Sequence, residues 1–180
     1  MELNEMILGF LDWKPLTGYE LKNIFAELDF IPWSGNNNQI YKTLLELEQN
    51  GMVEKEVIQQ EKAPAQKRYT ATGKGREALR NAVKEKSDLP AVKNDFLLRL
   101  AWAHSLSDGE LTAVIDAYQK SVEAELMMCL EKMRRRKITV ERNEREGYIW
   151  DMIFRNQAAY LQNELNWITR LRNGLNNKGG

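Results

Sequence analysis

The chain has 180 residues, 43% of them hydrophobic and 29% charged, and its 26 basic residues balance 26 acidic ones. That mixture suits one folded domain or two small ones and excludes bulk disorder. No apolar run nears the roughly 20 residues that span a bilayer, and Glu2 and Glu5 argue against a secretory signal at the start.

Leu3, Met6, Ile7, Phe10 and Leu11 recur at helical spacing and predict a first helix over residues 3–12, ended by Pro15. Thr17-x-x-Glu20 has capping-box spacing and opens a second helix that buries Leu21, Ile24, Phe25 and Leu28. Pro32 and the polar run from Ser34 to Asn38 make a turn whose side-chain oxygens suit the unpaired N–H groups of a following helix. That third helix, Asn36 to Asn50, sets Ile40, Leu44 and Leu47 on one face and Gln39, Lys42, Thr43 and Glu46 on the other. Asn50-Gly51 stops it, since glycine takes the left-handed conformation at no steric cost. Two short strands follow, residues 52–57 and 67–70, joined by a polar tip from Gln59 to Gln66. Thr72 then opens a fourth helix, reaching Lys86 and burying Leu79 and Val83.

Ser87-Asp88-Leu89-Pro90 reads as a joint, because proline disfavours helix in the residue before it. It divides the chain into 1–87 and 88–180. A short helix from Asn94 to His104 comes next, then a long one capped by Ser107-Asp108 and running to Lys137. The long helix has the stripe Leu111, Ile115, Tyr118, Val122, Leu126, Cys129 or Leu130, and Met133. The last helix, Arg142 to Arg172, carries two adjacent stripes: Phe154, Ala158, Leu161, Leu165, Ile168, and Ile149, Ile153, Tyr160, Trp167, Leu171. One partner helix buries a stripe of about 100°. With a single long partner in the chain, the second stripe is expected to face another copy. Ile153, Tyr160, Trp167, Ile168 and Leu171 are therefore the expected interface of a homodimer. The basic run of Lys132 and Arg134 to Lys137 complements the end of its helix dipole and is not assigned to DNA.

Helix, turn, helix, hairpin with a basic return strand, then helix: this order is a winged helix-turn-helix, whose usual job is to place one helix in the major groove. The segments Ile7 to Leu11, Thr17 to Leu21, Ile40 to Gly51 and Lys67 to Arg76 resemble, in that order, the PadR-type transcriptional regulators. The resemblance covers residues 3–85. The remainder is similar to the helical C-terminal region of the long branch, which includes related virulence regulators. What the resemblance implies is a mainly α protein: an N-terminal winged helix-turn-helix followed by a C-terminal antiparallel helical dimerisation region. It further implies a homodimer that binds double-stranded DNA at an inverted repeat, a repressor released by a small aromatic effector; the lone Cys129, which can make no internal disulfide, suits a cytoplasmic protein. An activator or coregulator of the virulence type is the alternative within the class. A winged helix used for protein interaction is the alternative outside it.

Local charge favours DNA despite the neutral total. Residues 1–61 hold four lysines against eleven carboxylates, a net −7, and residues 62–86 hold eight basic against two acidic, a net +6. The positive charge falls on the hairpin and the helix behind it, where phosphates would be met.

In the third helix Asn37, Asn38 and Gln39 have amides suited to adenine N6 and N7, and the two asparagines equally suit capping. Tyr41 and Lys42 resemble the Tyr-centred part of the family motif, with Lys42 on a phosphate and Tyr41 packed partly beneath. Thr43 suits a thymine methyl or a phosphate, and Tyr19 and Lys22 face the backbone if the second helix crosses it. Lys67 and Arg68 are the wing's phosphate anchors, because alternation turns one of them outward in either register. Tyr69 is expected inward, and Lys62 alone offers charge at the tip.

For an effector, Arg99, Trp102, His104, Tyr148 and Trp150 combine aromatic faces with partners for a carboxylate. Trp102, Trp150 and Trp167 are more simply core and dimer-interface residues, as aromatic residues at helical spacing usually are. Enzymatic chemistry is not expected. One histidine, His104, and one cysteine, Cys129, exclude the usual metal clusters. Thr72-Gly73-Lys74-Gly75 lacks the spacing of a phosphate loop, and no cofactor is expected.

Overall fold

The structure is a computed structural model that describes residues 1–177 apart from 32, 34, 61–62, 88, 90–93, 136–137 and 139, with backbone alone at 37, 60, 63 and 64. Its two units are Met1–Asp88 and Leu89–Gly180. Pro32, Ser34, Lys62 and Pro90, named above, fall outside the description, as do Asp88, Arg136 and Lys137.

The first unit runs α1 (Leu3–Trp13), β1 (Leu16–Thr17), α2 (Gly18–Glu27), α3 (Asn37–Gln49), β2 (Val53–Gln60), β3 (Ala63–Ala71) and α4 (Gly73–Lys84). Its helices begin where side chains satisfy free N–H groups. Thr17 and Glu20 form a full capping box on α2, and the Thr72 hydroxyl accepts from the Gly75 N–H at 3.2 Å on α4. Gly51, at φ 67°, ends α3. Ile7, Leu11, Leu21, Ile40 and Leu44 are wholly enclosed between α1, α2 and α3, each stabilising the unit by about 1.5–3 kcal/mol.

Two elements differ from expectation. The sheet has three antiparallel strands, in the order β1-β3-β2, instead of a two-stranded wing. Leu16 pairs with Tyr69 and Thr17 with Arg68, so the two residues before α2 tie it to the hairpin. Two residues are too few to show a strand period. The hairpin is also longer than its sequence suggests. Most of the expected tip, Gln59 to Gln66, lies in the ladder, with Ile58 opposite Gln66 and Gln60 opposite Ala63. Backbone pairing there needs no apolar alternation, and the register shifts between Ile58 and Gln60, near Pro64, which has no N–H to give. Val83 is a further correction. Leu79 meets Gly9 of α1, but Val83, one turn on, is exposed; the stripe outruns the surface that supports it.

The second unit holds α5 (Asp95–Ala101), a 3-10 turn (Ala103–Ser105), α6 (Asp108–Arg135) and α7 (Glu144–Asn176). Early α6 meets late α7: Asp116 pairs with Arg172, and the Tyr118 hydroxyl donates to Glu164 at 2.7 Å. The helices are therefore antiparallel. The core is Phe96, Ile115, Val122 and Ile168, with Leu161, Leu165, Trp167 and Leu171 against it.

This overturns part of the expected dimer interface. Ile168 has no exposed surface, and Trp167 takes the edge of Phe96 with ring centroids 6.2 Å apart. The Trp167 and Leu171 end of the second stripe has a partner within the chain, Phe96 of α5. Phe96 stacks on Tyr118 at 3.8 Å and 8°, while the Asn94 amide donates to the Tyr118 oxygen at 3.0 Å. A helix of seven residues is easily discounted in a sequence, yet one phenylalanine suffices to occupy the face. Of the expected set, Tyr160 is exposed and Ile153, Trp167 and Leu171 are half-buried. Exposed apolar surface lies further along the hairpin, at Met127, Met128, Leu130, Ile149 and Met152.

Candidate nucleic-acid interface

The outward side of α3 is fixed by what its inward side buries. Ile40, Leu44 and Leu47 are at most 3% exposed, and at about 3.6 residues per turn this directs Asn38 and Lys42 away from the core. Both are exposed. Gln39 and Thr43 lie on one flank, the first exposed and the second half-buried. Tyr41, Leu45 and Glu48 lie on the other, toward the hairpin. Asn36 caps the helix, its side-chain oxygen accepting from the Asn38 N–H at 3.0 Å. Asn38 is thereby spared that task. Lys42 stands 3.8 Å from Glu46 with 79% of its side chain exposed, and such a pair contributes little in water.

A groove of about 670 Å³ runs between the start of α2, the hairpin flank of α3 and β3, lined by Tyr19, Glu20, Tyr41, Leu45 and residues 65–69 among others. Gly18 lets the Tyr41 ring settle on α2, for a Cβ there would stand 2.5 Å from Tyr41 Cε1. Tyr41 thus packs on α2 while half of it stays exposed. Lys55 of β2 reaches Glu48 of α3 at 2.6 Å, each side chain 28% exposed, and this bond raises the Lys55 ammonium above its ordinary value. The pair braces the hairpin against α3.

Successive residues of β3 point to opposite faces. Lys67 and Tyr69 therefore share a face, yet Tyr69 is buried at 4% while Lys67, two residues nearer the hairpin tip, projects into solvent. Arg68, opposite Thr17 in the register, turns toward α2, with Nη2 3.9 Å from Glu20 Oε1. Tyr19 is exposed at the groove; Lys22, half-buried, is on the same helix but not in the lining. The basic segment is less open than its charge count implies. The Lys74 ammonium donates to the Asn50 carbonyl at 2.9 Å, and Arg76 Nε donates to Asp12 at 2.8 Å. Arg80, Lys84 and Lys86 are exposed.

Two residues of this face escape the sequence reasoning. Leu45 is half-exposed beside Tyr41; its signal was a leucine standing more than a third of a turn off the buried stripe. An apolar side chain there suits a thymine methyl. Glu20 looked like a cap alone, and only the β1–β3 pairing brings Arg68 to it.

The five effector candidates form no single pocket. Arg99 pairs with Asp95 at 2.6 Å, Trp102 is 75% exposed, and His104 is exposed in the 3-10 turn. These lie near the Trp167 end of α7. Tyr148 is exposed and Trp150 is tilted on Phe154 at 6.0 Å; at 1.5 Å per residue, Trp150 is about 26 Å from Trp167 along the helix. Among the described residues no cluster suits a metal ion, and no helix is long and apolar enough to cross a membrane.

Residues 7–81 match the profile of the transcriptional regulator PadR-like family, and residues 92–176 match that of the virulence activator alpha C-terminal region. The negative transcriptional regulator PadR of Bacillus subtilis (strain 168) is 30% identical over 120 residues, 66% of this chain and 66% of the relative. The fold is that of Bacillus subtilis PadR in complex with operator DNA, with a TM-score of 0.80 and 23% identity over 94% of this chain and 96% of the other. PadR in complex with p-coumaric acid gives a TM-score of 0.75 at 22% identity, over 94% and 92% of the two chains. The Vibrio cholerae virulence activator AphA gives 0.65 at 18% identity, over 97% and 98%.

Proposed function

The chain belongs to the PadR-like family of transcriptional regulators, and from that premise we propose that it is a repressor binding an inverted-repeat operator as a homodimer. Members of this family regulate transcription and are not enzymes. One observation carries the reading: Asn38 and Lys42 stand on the solvent side of α3, and the hairpin flank of that helix, through Tyr41 and Leu45, shares one groove with Arg68 and the exposed Lys67, braced by the Glu48–Lys55 pair. In this reading α3 enters the major groove, where Asn38 and Gln39 meet adenine edges, Leu45 and Thr43 meet thymine methyls, and Lys42, Lys67 and Arg68 meet phosphates. Tyr19 and Lys22 lie along the backbone as α2 crosses it. Asn37 belongs to the same first turn. Work on chromosomal DNA puts the protein in the cytoplasm.

The two copies associate through the exposed apolar surface of α6 and α7, with Tyr160 and Ile153 as its remaining sequence-derived members. A small aromatic acid, the class bound by the Bacillus subtilis relative, is the proposed effector. It engages one end of the C-terminal unit, either Arg99, Trp102 and His104 or Tyr148 and Trp150. The match to the virulence activator region favours activation as the second reading, and a reporter behind the bound promoter separates the two by sign.

The test is a salt titration of the full-length protein on duplex DNA, read by fluorescence anisotropy. The affinity of the wild type should fall steeply with salt, and Lys67→Ala should flatten the log–log slope by about one unit. Salt-insensitive binding, or none, would count against the reading.

A further inference from the structure

We propose that Glu20 sets the affinity for DNA by holding Arg68, as a rival within the chain to the phosphate backbone; this rests on the DNA-binding reading above. Glu20 lies in the first turn of α2 and lines the groove enclosed by α3 and β3. Its Oε2 accepts from the Thr17 backbone N–H at 2.7 Å. Its Oε1 stands 3.9 Å from Arg68 Nη2, too far for a hydrogen bond and near enough for an ion pair that solvent screens in part. Arg68 is half-buried, and its Nε is enclosed with no acceptor among the described residues.

A guanidinium presents its donors in a rigid fork that suits carboxylate or phosphate in two-point contact. Here the carboxylate is fixed by its capping bond and meets the fork at a distance, so Arg68 is attracted without being satisfied. A phosphate entering the groove would offer close acceptors to the exposed part of the guanidinium, whose side chain is 39% exposed. It would also break the ion pair and come to rest beside the Glu20 charge.

The charge is a standing one. Burial pushes the Glu20 carboxyl upward, but the hydrogen bonds from Thr17 and the charges of Arg68 and Lys14 outweigh it and hold it below its ordinary value. Glu56 stands across the ladder from Arg68, and Lys67, exposed, also lines the groove. Every duplex, whatever its sequence, meets the same opposition, while Asn38 and Gln39 read bases independently of it.

Glu20→Gln isolates the effect, since glutamine also serves at the third position of a capping box. Full-length protein is titrated with a fixed duplex over a salt series, alone and in an Arg68→Gln background. Glu20→Gln should bind about three- to tenfold tighter at a given salt, with a slope steeper by up to about one unit. With Arg68→Gln already present, the gain should shrink to less than about twofold. Wild-type affinity in Glu20→Gln would overturn the proposal. So would an equal gain in both backgrounds, which is a general charge effect. A wild type without salt-dependent binding would overturn the DNA-binding reading itself, and that outcome is distinct from both.

Discussion

Two glycines at the start of α4 have opposite consequences. A Cβ added at Gly75 would stand 2.2 Å from the Met52 carbonyl oxygen and 3.0 Å from Leu8 Cδ2. That oxygen is held in place, accepting from the Thr72 N–H at 3.0 Å, and the Thr72 hydroxyl donates to the Gly51 carbonyl at 2.8 Å. Ordinary contact needs about 3.5 Å, so Gly75→Ala must drive α4 away from Met52 by about 1 Å. Overpacking costs about 1–3 kcal/mol, and the strained hydrogen bond adds about 0.5–1.5 kcal/mol. The helix preference of alanine returns at most about 1 kcal/mol. The net loss centres on about 2 kcal/mol, which lowers Tm by roughly 4–8 °C in a chain of this size. At Gly73 an added Cβ meets nothing within 4 Å. Gly73→Ala should therefore stabilise by about 0.4–1 kcal/mol. Thermal melts of the two full-length variants, followed by circular dichroism, decide the matter. Shifts in the same direction, or a Gly75→Ala protein that melts like the wild type, would refute the seating of α4 on Met52.

Three other variants probe the C-terminal unit. Ile168→Ala, at a position with no exposed surface, should cost about 2–5 kcal/mol in urea denaturation. Met152→Ser with Tyr160→Ser, 45% and 55% exposed in the wild type, should leave melting nearly unchanged and weaken self-association in sedimentation. Tyr118→Phe removes the hydroxyl that donates to Glu164 at 2.7 Å and should cost about 1–2 kcal/mol. Burial first, then the Glu164 bond, raises the Tyr118 phenol above its ordinary value. The folded state thus favours the neutral phenol, whose contribution is complete below about pH 10 and is lost as pH rises through the folded value. Urea midpoints of wild type and Tyr118→Phe should converge in that alkaline range.

The order of elements was legible because it rests on local chemistry. Thr17-x-x-Glu20, Asn50-Gly51 and Thr72 mark helix ends through hydrogen bonds made within a few residues. The stripes of α2 and α3 were legible for a related reason: Leu21, Ile24, Phe25, Ile40 and Leu44 are buried together, and burial leaves a period. What was not legible depends on partners distant in sequence. The β1–β3 pairing, the Glu20–Arg68 approach and the Asn94–Tyr118–Glu164 cluster leave no local pattern. The α7 stripes were read correctly as apolar, but giving Ile168, Trp167 and Leu171 to a second copy overlooked what Phe96 of a seven-residue helix can cover at that end. At the interface, composition gave the sign of the charge. Geometry then separated open Lys67 from engaged Arg68, Lys74 and Arg76.

Selection of binding sites from random duplexes tests the central claim most directly. The full-length protein should recover an inverted repeat whose half-sites lie about 34–36 Å apart or a multiple of it, with adenine preferred where Asn38 and Gln39 approach. In the Asn38→Ala, Gln39→Ala double variant that preference should vanish, while Lys42→Ala should weaken all sequences alike. Asymmetric sites, or an adenine preference that survives the loss of both amides, would contradict the assignment of α3 as the reading helix.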